Sequence, residues 1–234
     1  MIRSNEAEIL DDPNVPDELV QRAYRDVAAI HHWLGDVRFL IGAIRRDPLP
    51  VRRILDVGCA TGLVSQRVGR ALGIEVVGAD IRPRPAVAAP IPIVRANACY
   101  EPLPAADVAF CMHLGHHLTE EDVIRLIRNV GLYCRRFILL DLVRHPLPLL
   151  LFRLFLAPLI CQIDAQDGRR SIRRSYTPEE LRDLTTTALA GSMGTFHLSV
   201  APFYLRQVVD ISYDSLQGHT QLQSRVFAEE GEWR

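Results

Sequence analysis

Residues 54–63, Ile-Leu-Asp-Val-Gly-Cys-Ala-Thr-Gly-Leu, constrain the fold more than any other stretch of the chain. An apolar, β-branched segment runs directly into a turn that has glycines at positions 58 and 62. A strand that leads into a glycine turn and then a helix is typical of nucleotide-binding α/β domains. The stretch therefore predicts a strand over Arg53–Val57 and a ligand site just beyond its carboxyl end.

The rest of the chain alternates between strand-like and helix-like patterns, which predicts parallel strands joined by helices. Further strands are predicted at Glu75–Ala79, Pro92–Ala96, Val108–Met112, Arg136–Val143, Phe196–Val200 and Gln207–Ile211. The last two runs are separated by only a few residues, which indicates an antiparallel pair. We expect a doubly wound, Rossmann-like α/β sheet of seven strands, mostly parallel, with an antiparallel edge hairpin.

Three segments are predicted around this sheet. Residues 1–50 read as an N-terminal helical cap segment, and residues 51–234 as the Rossmann-like domain. An insertion at 144–175 within that domain has an apolar first half, for which a lid, a dimer surface and a core helix are all open interpretations. Its arginine-rich second half is most simply a solvated loop; if these arginines instead line the mouth of the site, they indicate an acidic or polyphenolic acceptor.

Composition excludes several classes of function. The 234 residues carry a net charge of −1, which argues against a nucleic-acid-binding surface. The absence of lysine excludes Schiff-base chemistry and a P-loop. Five scattered cysteines fit reduced thiols, and no apolar run reaches the roughly 20 residues that a membrane span needs. We expect a cytoplasmic protein with a small-molecule partner and no membrane span, and a homodimer is one open interpretation.

Two carboxylates near the glycine turn discriminate between nucleotides. Asp80 ends the second predicted strand, 22 residues after Gly58, where a carboxylate accepts hydrogen bonds from ribose hydroxyls. Ala60 occupies the position of the second dinucleotide-binding glycine, so a pyrophosphate would be crowded. Asp56 lies inside the motif itself, where it would disfavour a phosphate but favour a cationic ligand.

Four motifs in order resemble the class I S-adenosylmethionine-dependent methyltransferases of small-molecule type. They are LDVGCATG (55–62), VVGADI (76–81), VRANACYEPLP (94–104) and DVAFCMHLGHHL (107–118). The resemblance covers roughly residues 50–145. It implies S-adenosyl-L-methionine as the cofactor, with Asp80 on the ribose, Asn97 and Ala98 on the adenine edge, and Asp56 near the ligand's ammonium group. The cofactor-binding residues that it implies are Asp56, Gly58, Cys59, Gly62, Asp80, Ile81, Asn97, Ala98 and Met112.

Three histidines after the fourth predicted strand are the candidate catalytic residues. A hydroxyl acceptor that stays protonated until attack benefits from a general base, and histidine suits neutral pH. His117 and His113 are the preferred candidates, and His116 is the third. No acidic partner for this cluster is visible in the sequence, so no metal site is expected. Tyr24, Trp33 and Arg144 are predicted to bind the acceptor.

The favoured hypothesis is methyl transfer to a hydroxyl of an aromatic or polyketide-like secondary metabolite. C-methylation of a quinone-like ring is one alternative, and a non-catalytic, nucleoside-binding protein of the methyltransferase fold is another. A nicotinamide-dependent dehydrogenase is disfavoured by Ala60. Methylation of RNA or protein is disfavoured because the chain has no basic domain.

Overall fold

Seven strands form one sheet in the computed structural model, which describes residues 1–12, 14–83 and 91–213. The strands are β1 Arg53–Val57, β2 Glu75–Asp80, β3 Ile93–Arg95, β4 Ala106–Met112, β5 Cys134–Asp141, β6 Thr195–Val200 and β7 Gln207–Ser212. Their order is β3-β2-β1-β4-β5-β7-β6. Strands β1 to β5 pair in parallel, whereas β7 pairs antiparallel with both β5 and β6. The predicted fold class, including the edge hairpin, is confirmed.

Seven α-helices surround the sheet in the described part of the chain. They are α1 Asp17–Trp33, α2 Asp36–Arg45, α3 Leu63–Leu72, α4 Glu120–Tyr133, α5 Pro146–Leu151, α6 Gln162–Arg174 and α7 Pro178–Leu189. Threonine side chains cap two of these helices as the sequence predicts, because a threonine oxygen accepts an otherwise unpaired backbone N–H. Thr119 caps α4, and Thr177 forms a full capping box with Glu180 at the start of α7.

The apolar core lies on both faces of the sheet. Helices α4 and α7 cover one face, and α2 and α3 cover the other. Leu40 and Ile44 of α2 pack into the same buried cluster as Ile54 of β1 and Phe110 of β4. The second half of the predicted cap segment is thus built into a helical layer of the sheet. A domain boundary at residue 50 stays a prediction.

The 144–175 insertion is helical throughout most of its length. Helix α5 continues into a π-helical segment, Phe152–Leu156, and a 3₁₀ turn, Ala157–Leu159, before α6 begins. The prediction of a solvated loop for its arginines is wrong. The arginines lie on α6, where Arg170 pairs with Glu6 and Arg174 pairs with Asp11.

An N-terminal strap, residues 3–11, crosses α6. Arg3 donates to the carbonyl oxygens of Arg174 and Leu118, and the backbone N–H groups of Ile9 and Leu10 donate to Asp167. These contacts hold the acidic residues of the strap against the loop that follows β4.

Within the described ranges, no single helix is long and apolar enough to cross a membrane. Helices α1 and α2 pass the test of length and composition together, but a bend of 62° separates them. The cytoplasmic location stays a prediction.

Candidate active site

A cavity of about 690 Å³ lies at the carboxyl ends of the parallel strands. Its floor is formed by the ends of β1, β2 and β4 and by the residues that follow β3. Helices α1 and α6, the π-helical segment and the N-terminal strap form its walls. Strand order reverses between β1 and β4, and open α/β sheets bind their ligands at this kind of switch point.

The glycine turn after β1 lines the cavity with backbone in the left-handed region. Gly58 has φ +75° and Gly62 has φ +73°, and Ala60 between them has φ +48°. A Cβ at Gly58 would lie 3.1 Å from the Leu114 side chain. The turn can therefore approach a ligand closely with backbone atoms, as the motif predicts.

Asp80 is oriented by the turn that it faces. One carboxylate oxygen accepts the N–H of Ala60 at 2.9 Å, and the other accepts the N–H of Arg82 at 2.7 Å. Each oxygen keeps a second lone pair, so the carboxylate can still accept ribose hydroxyls. Ile81 is 54% exposed and lines the cavity, so its side chain is available to a ligand and is not part of the core.

The other predicted donor-site residues also line the cavity. Asn97 uses its amide oxygen to accept the N–H of Cys99 at 3.0 Å, and Ala98 is buried next to it. Met112 is half-buried and packs against the core from its place in the cavity wall. Cys59 is buried, and burial raises the pKa of its thiol, so it stays uncharged. All of the predicted donor-site residues except Gly62 line this one cavity.

Asp56 lies at the base of this space and accepts a hydrogen bond from Ser65. Burial raises the pKa of Asp56 to about 7; the Ser65 hydrogen bond opposes this shift, and the charge of Asp80 reinforces it. A group with a pKa near 7 changes charge readily when a cation arrives beside it.

His116 is held by Asp141, the last residue of β5. Nδ1 of the ring lies 2.7 Å from Asp141 Oδ1, and the backbone N–H of His116 donates to Oδ2 at 2.8 Å. On the other side of the ring, Nε2 lies 3.4 Å from Glu8 of the strap. Burial opposes a charged ring, but Asp141 and Glu8 outweigh it and raise the pKa of His116 to about 9. Asp141, whose pKa is lowered despite burial, stays ionised.

His113 stacks on His31 of α1, with ring centroids 4.0 Å apart. Its Nε2 lies 3.5 Å from Asp36, and Asp36 also accepts from His31 Nδ1 at 3.0 Å. Burial, together with the positive charge of His113, lowers the pKa of His31 to about 4. For His113 itself, Asp141 and Asp36 outweigh burial and raise the pKa.

His117 is the most accessible of the three predicted histidines. Its Nδ1 lies 3.4 Å from Asp11 and its Nε2 lies 3.8 Å from Glu8. Two histidine–carboxylate groups thus have ligand atoms within 4.8 Å of one another: Glu8 with His116 and His117, and Asp36 with His31 and His113. The assumption that the histidines lack acidic partners is wrong, because the strap and α2 supply them.

Two of the three predicted acceptor-binding residues lie elsewhere. Tyr24 lines the cavity. Trp33 is 75% exposed at the end of α1 and is not in the cavity wall, so the prediction for it is wrong. Arg144 is buried outside the wall and pairs with Glu180 and the Ser175 carbonyl. The prediction for Arg144 is wrong because Glu180, in the first turn of α7, pairs with its guanidinium group.

No role was predicted for Glu8 and His31, which line the cavity, or for Asp36, which lies beside His113; all three come from segments before the first strand. The acidic character of the N-terminus was the available signal for Glu8. The spacing of His31 and Asp36 was the signal for the second pair, since a helix end and the next helix start bring them together.

Residues 55–131 match a family model described as a methyltransferase domain. A search of curated proteins finds no match to the sequence.

Solved structures with the same fold include methyltransferases crystallised with S-adenosylmethionine or S-adenosylhomocysteine. The plantazolicin methyltransferase BpumL, in complex with SAH, has a TM-score of 0.67 and 13% identity, with 87% of this chain and 92% of that chain covered. Human N-acetylserotonin methyltransferase, in complex with SAM, has a TM-score of 0.51 and 14% identity, with 70% and 48% covered. A putative O-methyltransferase from Nostoc punctiforme has a TM-score of 0.53 and 15% identity, with 77% and 56% covered.

Proposed function

We propose that this chain, a class I S-adenosylmethionine-dependent methyltransferase by its fold and by its methyltransferase domain, transfers the methyl group to a hydroxyl of a small aromatic molecule. The observation that carries the choice of a hydroxyl is that Asp141 orients His116 in the cavity wall, since an oriented histidine can remove a hydroxyl proton.

The cavity fits the donor on four counts. The left-handed turn at Gly58 and Gly62 gives backbone contact, and the oriented Asp80 carboxylate has lone pairs for ribose hydroxyls. The exposed Ile81 side chain offers an apolar face to a base. Asp56 supplies a carboxylate for the ammonium group. We assign donor binding to these residues and to Cys59, Asn97, Ala98 and Met112.

When bound, the donor supplies a methyl group on a sulfonium centre, which is already activated. The protein therefore has to position the acceptor oxygen and remove its proton. Asp141 fixes the ring of His116 through Nδ1, so that Nε2 is the atom that takes the proton. Glu8 faces that atom and stabilises the imidazolium that results.

The pKa values favour His116 over His31 as the base. A phenol has a pKa of about 10, so transfer of its proton to a histidine with a pKa of about 9 is only slightly uphill. Transfer to His31, with a pKa of about 4, is strongly uphill. His113 and His117 are the second and third candidates, because neither has a carboxylate as close to the ring as that of Asp141.

The apolar half of the insertion supports an aromatic acceptor. Phe152, Leu156 and Ile160 line the cavity, which is consistent with the lid interpretation. They provide a wall that excludes water and contacts a ring. Tyr24 of α1 faces the same space.

Release of S-adenosylhomocysteine in the presence of a panel of phenols and matched anilines tests this function. We expect turnover with at least one phenol class and a loss of ~10²- to 10⁴-fold in the His116→Ala variant. The matched control is His197→Ala, on the exposed edge strand β6, which should keep full turnover. Equal turnover in both variants would remove the base assignment.

A further inference from the structure

Asp164 of α6 is a buried carboxylate in the cavity wall, and the described residues supply it with no hydrogen-bond partner. Its residue is only 5% exposed, and it lines the cavity. Neither of its carboxylate oxygens has a partner among the described residues. Buried polar side chains are almost always hydrogen-bonded, so an exception that faces a cavity indicates a group supplied from outside the chain.

A structural role at the start of α6 does not account for this carboxylate. An acidic residue in the first turn of a helix commonly accepts backbone N–H groups there. In α6 the Cys161 sulfur accepts the N–H of Asp164 at 3.4 Å instead. The Asp164 carboxylate makes no such contact.

The other acidic side chains at this end of the cavity have hydrogen-bond or ion-pair partners. Asp167, one turn along α6, accepts the N–H groups of Ile9 and Leu10 at 2.7 and 3.0 Å. Glu8 lies beside His116 and Ser171, and Asp11 pairs with Arg174 at 3.1 Å. Among these carboxylates of the described chain, Asp164 is the one that no cation or N–H group reaches.

The surroundings of Asp164 strengthen any charge pair formed there. The π-helical segment packs against α6, and its Phe152 and Leu156 line the cavity together with Ile160 and Ile172. Apolar walls keep water away, and a charge pair is stronger where water is excluded.

We propose that the acceptor carries a cationic nitrogen, an amine or amidine-type group, which Asp164 binds at the end of the cavity away from the methylated oxygen. The inference rests on the proposed function, because it describes the substrate of the same site. Ser171 contacts Glu8, which faces His116, and Asp164 precedes Ser171 by seven residues on α6. At ~1.5 Å per residue, the two positions are about 10 Å apart along the helix.

A matched pair of probes tests this assignment. One is 4-(3-aminopropyl)phenol, whose ring and propyl chain separate the amine from the phenol oxygen by a comparable length. The other is the alcohol of equal length, 3-(4-hydroxyphenyl)propan-1-ol. Calorimetry on the SAH-loaded protein should give at least ~10-fold tighter binding of the amine, because only the amine compensates the buried carboxylate. In Asp164→Asn the preference should disappear while SAH affinity stays unchanged.

The outcomes separate this inference from the proposed function. Equal binding of the two probes by the wild-type protein, or an amine preference that survives Asp164→Asn, overturns the cation site. Either result leaves the proposed function standing if SAH binds and methyl transfer to phenols is observed. A failure to bind SAH would contradict the proposed function instead.

A second measurement needs no acceptor. If Asp164 serves to bind a ligand, Asp164→Asn should raise the Tm of the ligand-free protein by ~2 °C or more. The substitution replaces a buried carboxylate that lacks a partner with a neutral amide. The control Asp167→Asn should lower the Tm, because it weakens the hydrogen bonds to Ile9 and Leu10. A lower Tm for Asp164→Asn would assign it a structural role and overturn the proposal.

Discussion

Asp141 accepts two hydrogen bonds from His116, one from the ring at 2.7 Å and one from the backbone at 2.8 Å. The two residues belong to different elements, since Asp141 ends β5 and His116 lies in the turn after β4. Parallel pairing of β4 with β5 brings the two strand ends together. The fold thus fixes the position of the ring, and the carboxylate fixes its orientation and raises its affinity for a proton.

The first prediction concerns the pH dependence of methyl transfer. The raised pKa of His116, about 9, means that the ring is protonated at neutral pH and becomes a base as the pH rises. We expect kcat/KM for a neutral phenol to increase with pH and to level off above pH 9. In Asp141→Asn the rise should move toward the ordinary histidine range, near 6.5, because the charge that raises the pKa is gone.

A pH profile in the wild type with its rise near 6.5 would contradict the role of His116 as the base. Gly115→Ala is a milder test of the same pair, because the new Cβ would lie 2.7 Å from Asp141 Oδ2 and displace that oxygen. The pH profile of this variant should shift in the same direction as that of Asp141→Asn, by a smaller amount.

The second prediction concerns proton release on donor binding. The pKa of Asp56 is about 7, and an ammonium group beside it favours the ionised form. SAH affinity should therefore increase as the pH rises from 6 to 8, and calorimetry in buffers of different ionisation enthalpy should detect a released proton below pH 7. Asp56→Asn should abolish the pH dependence.

Ser65→Ala offers a directional check on the same group. The Ser65 hydrogen bond lowers the Asp56 pKa, so its removal should move the rise in affinity to higher pH. A shift to lower pH, or no shift, would show that Asp56 does not control donor binding.

The third prediction separates backbone strain from close approach in the glycine turn. Gly58→Ala introduces a Cβ at φ +75° and 3.1 Å from Leu114, whereas Gly73→Ala introduces one at φ +68° with nothing within 4 Å. Both should lose about 1–2 kcal/mol of stability from the left-handed conformation. Only Gly58→Ala should weaken SAH binding, by ~10-fold or more. Equal SAH affinity in the two variants would exclude a role for the turn in donor binding.

Local patterns made much of the fold predictable. The strand before Gly58, the capping box at Thr177 and the edge hairpin depend on residues close together in sequence, and each is confirmed. The fold then places the residues that follow β4, with His113, His116 and His117, in the cavity wall. The pairing of Glu8 with His116 spans more than one hundred residues and depends on the path of the N-terminal strap, which no periodicity encodes. Arg144 was misjudged for the same reason, because its partner Glu180 comes from a later helix.

The fourth prediction concerns metals. Glu8, His116 and His117 have ligand atoms close enough together to hold a metal, but a metal there would have to displace the proton of His116, whose pKa is raised. Treatment with EDTA should leave SAH binding and methyl transfer unchanged. Stoichiometric zinc in the purified protein, with loss of turnover on its removal and recovery on its return, would contradict this assignment.

Calorimetric titration of the protein with SAH and, separately, with NAD tests the central claim most directly. We expect SAH to bind one to one and NAD not to bind. We also expect Asp80→Asn to weaken SAH binding by ~10-fold, because one acceptor for the ribose hydroxyls is lost. Binding of NAD with no binding of SAH would contradict the assignment of this cavity to a methyl donor.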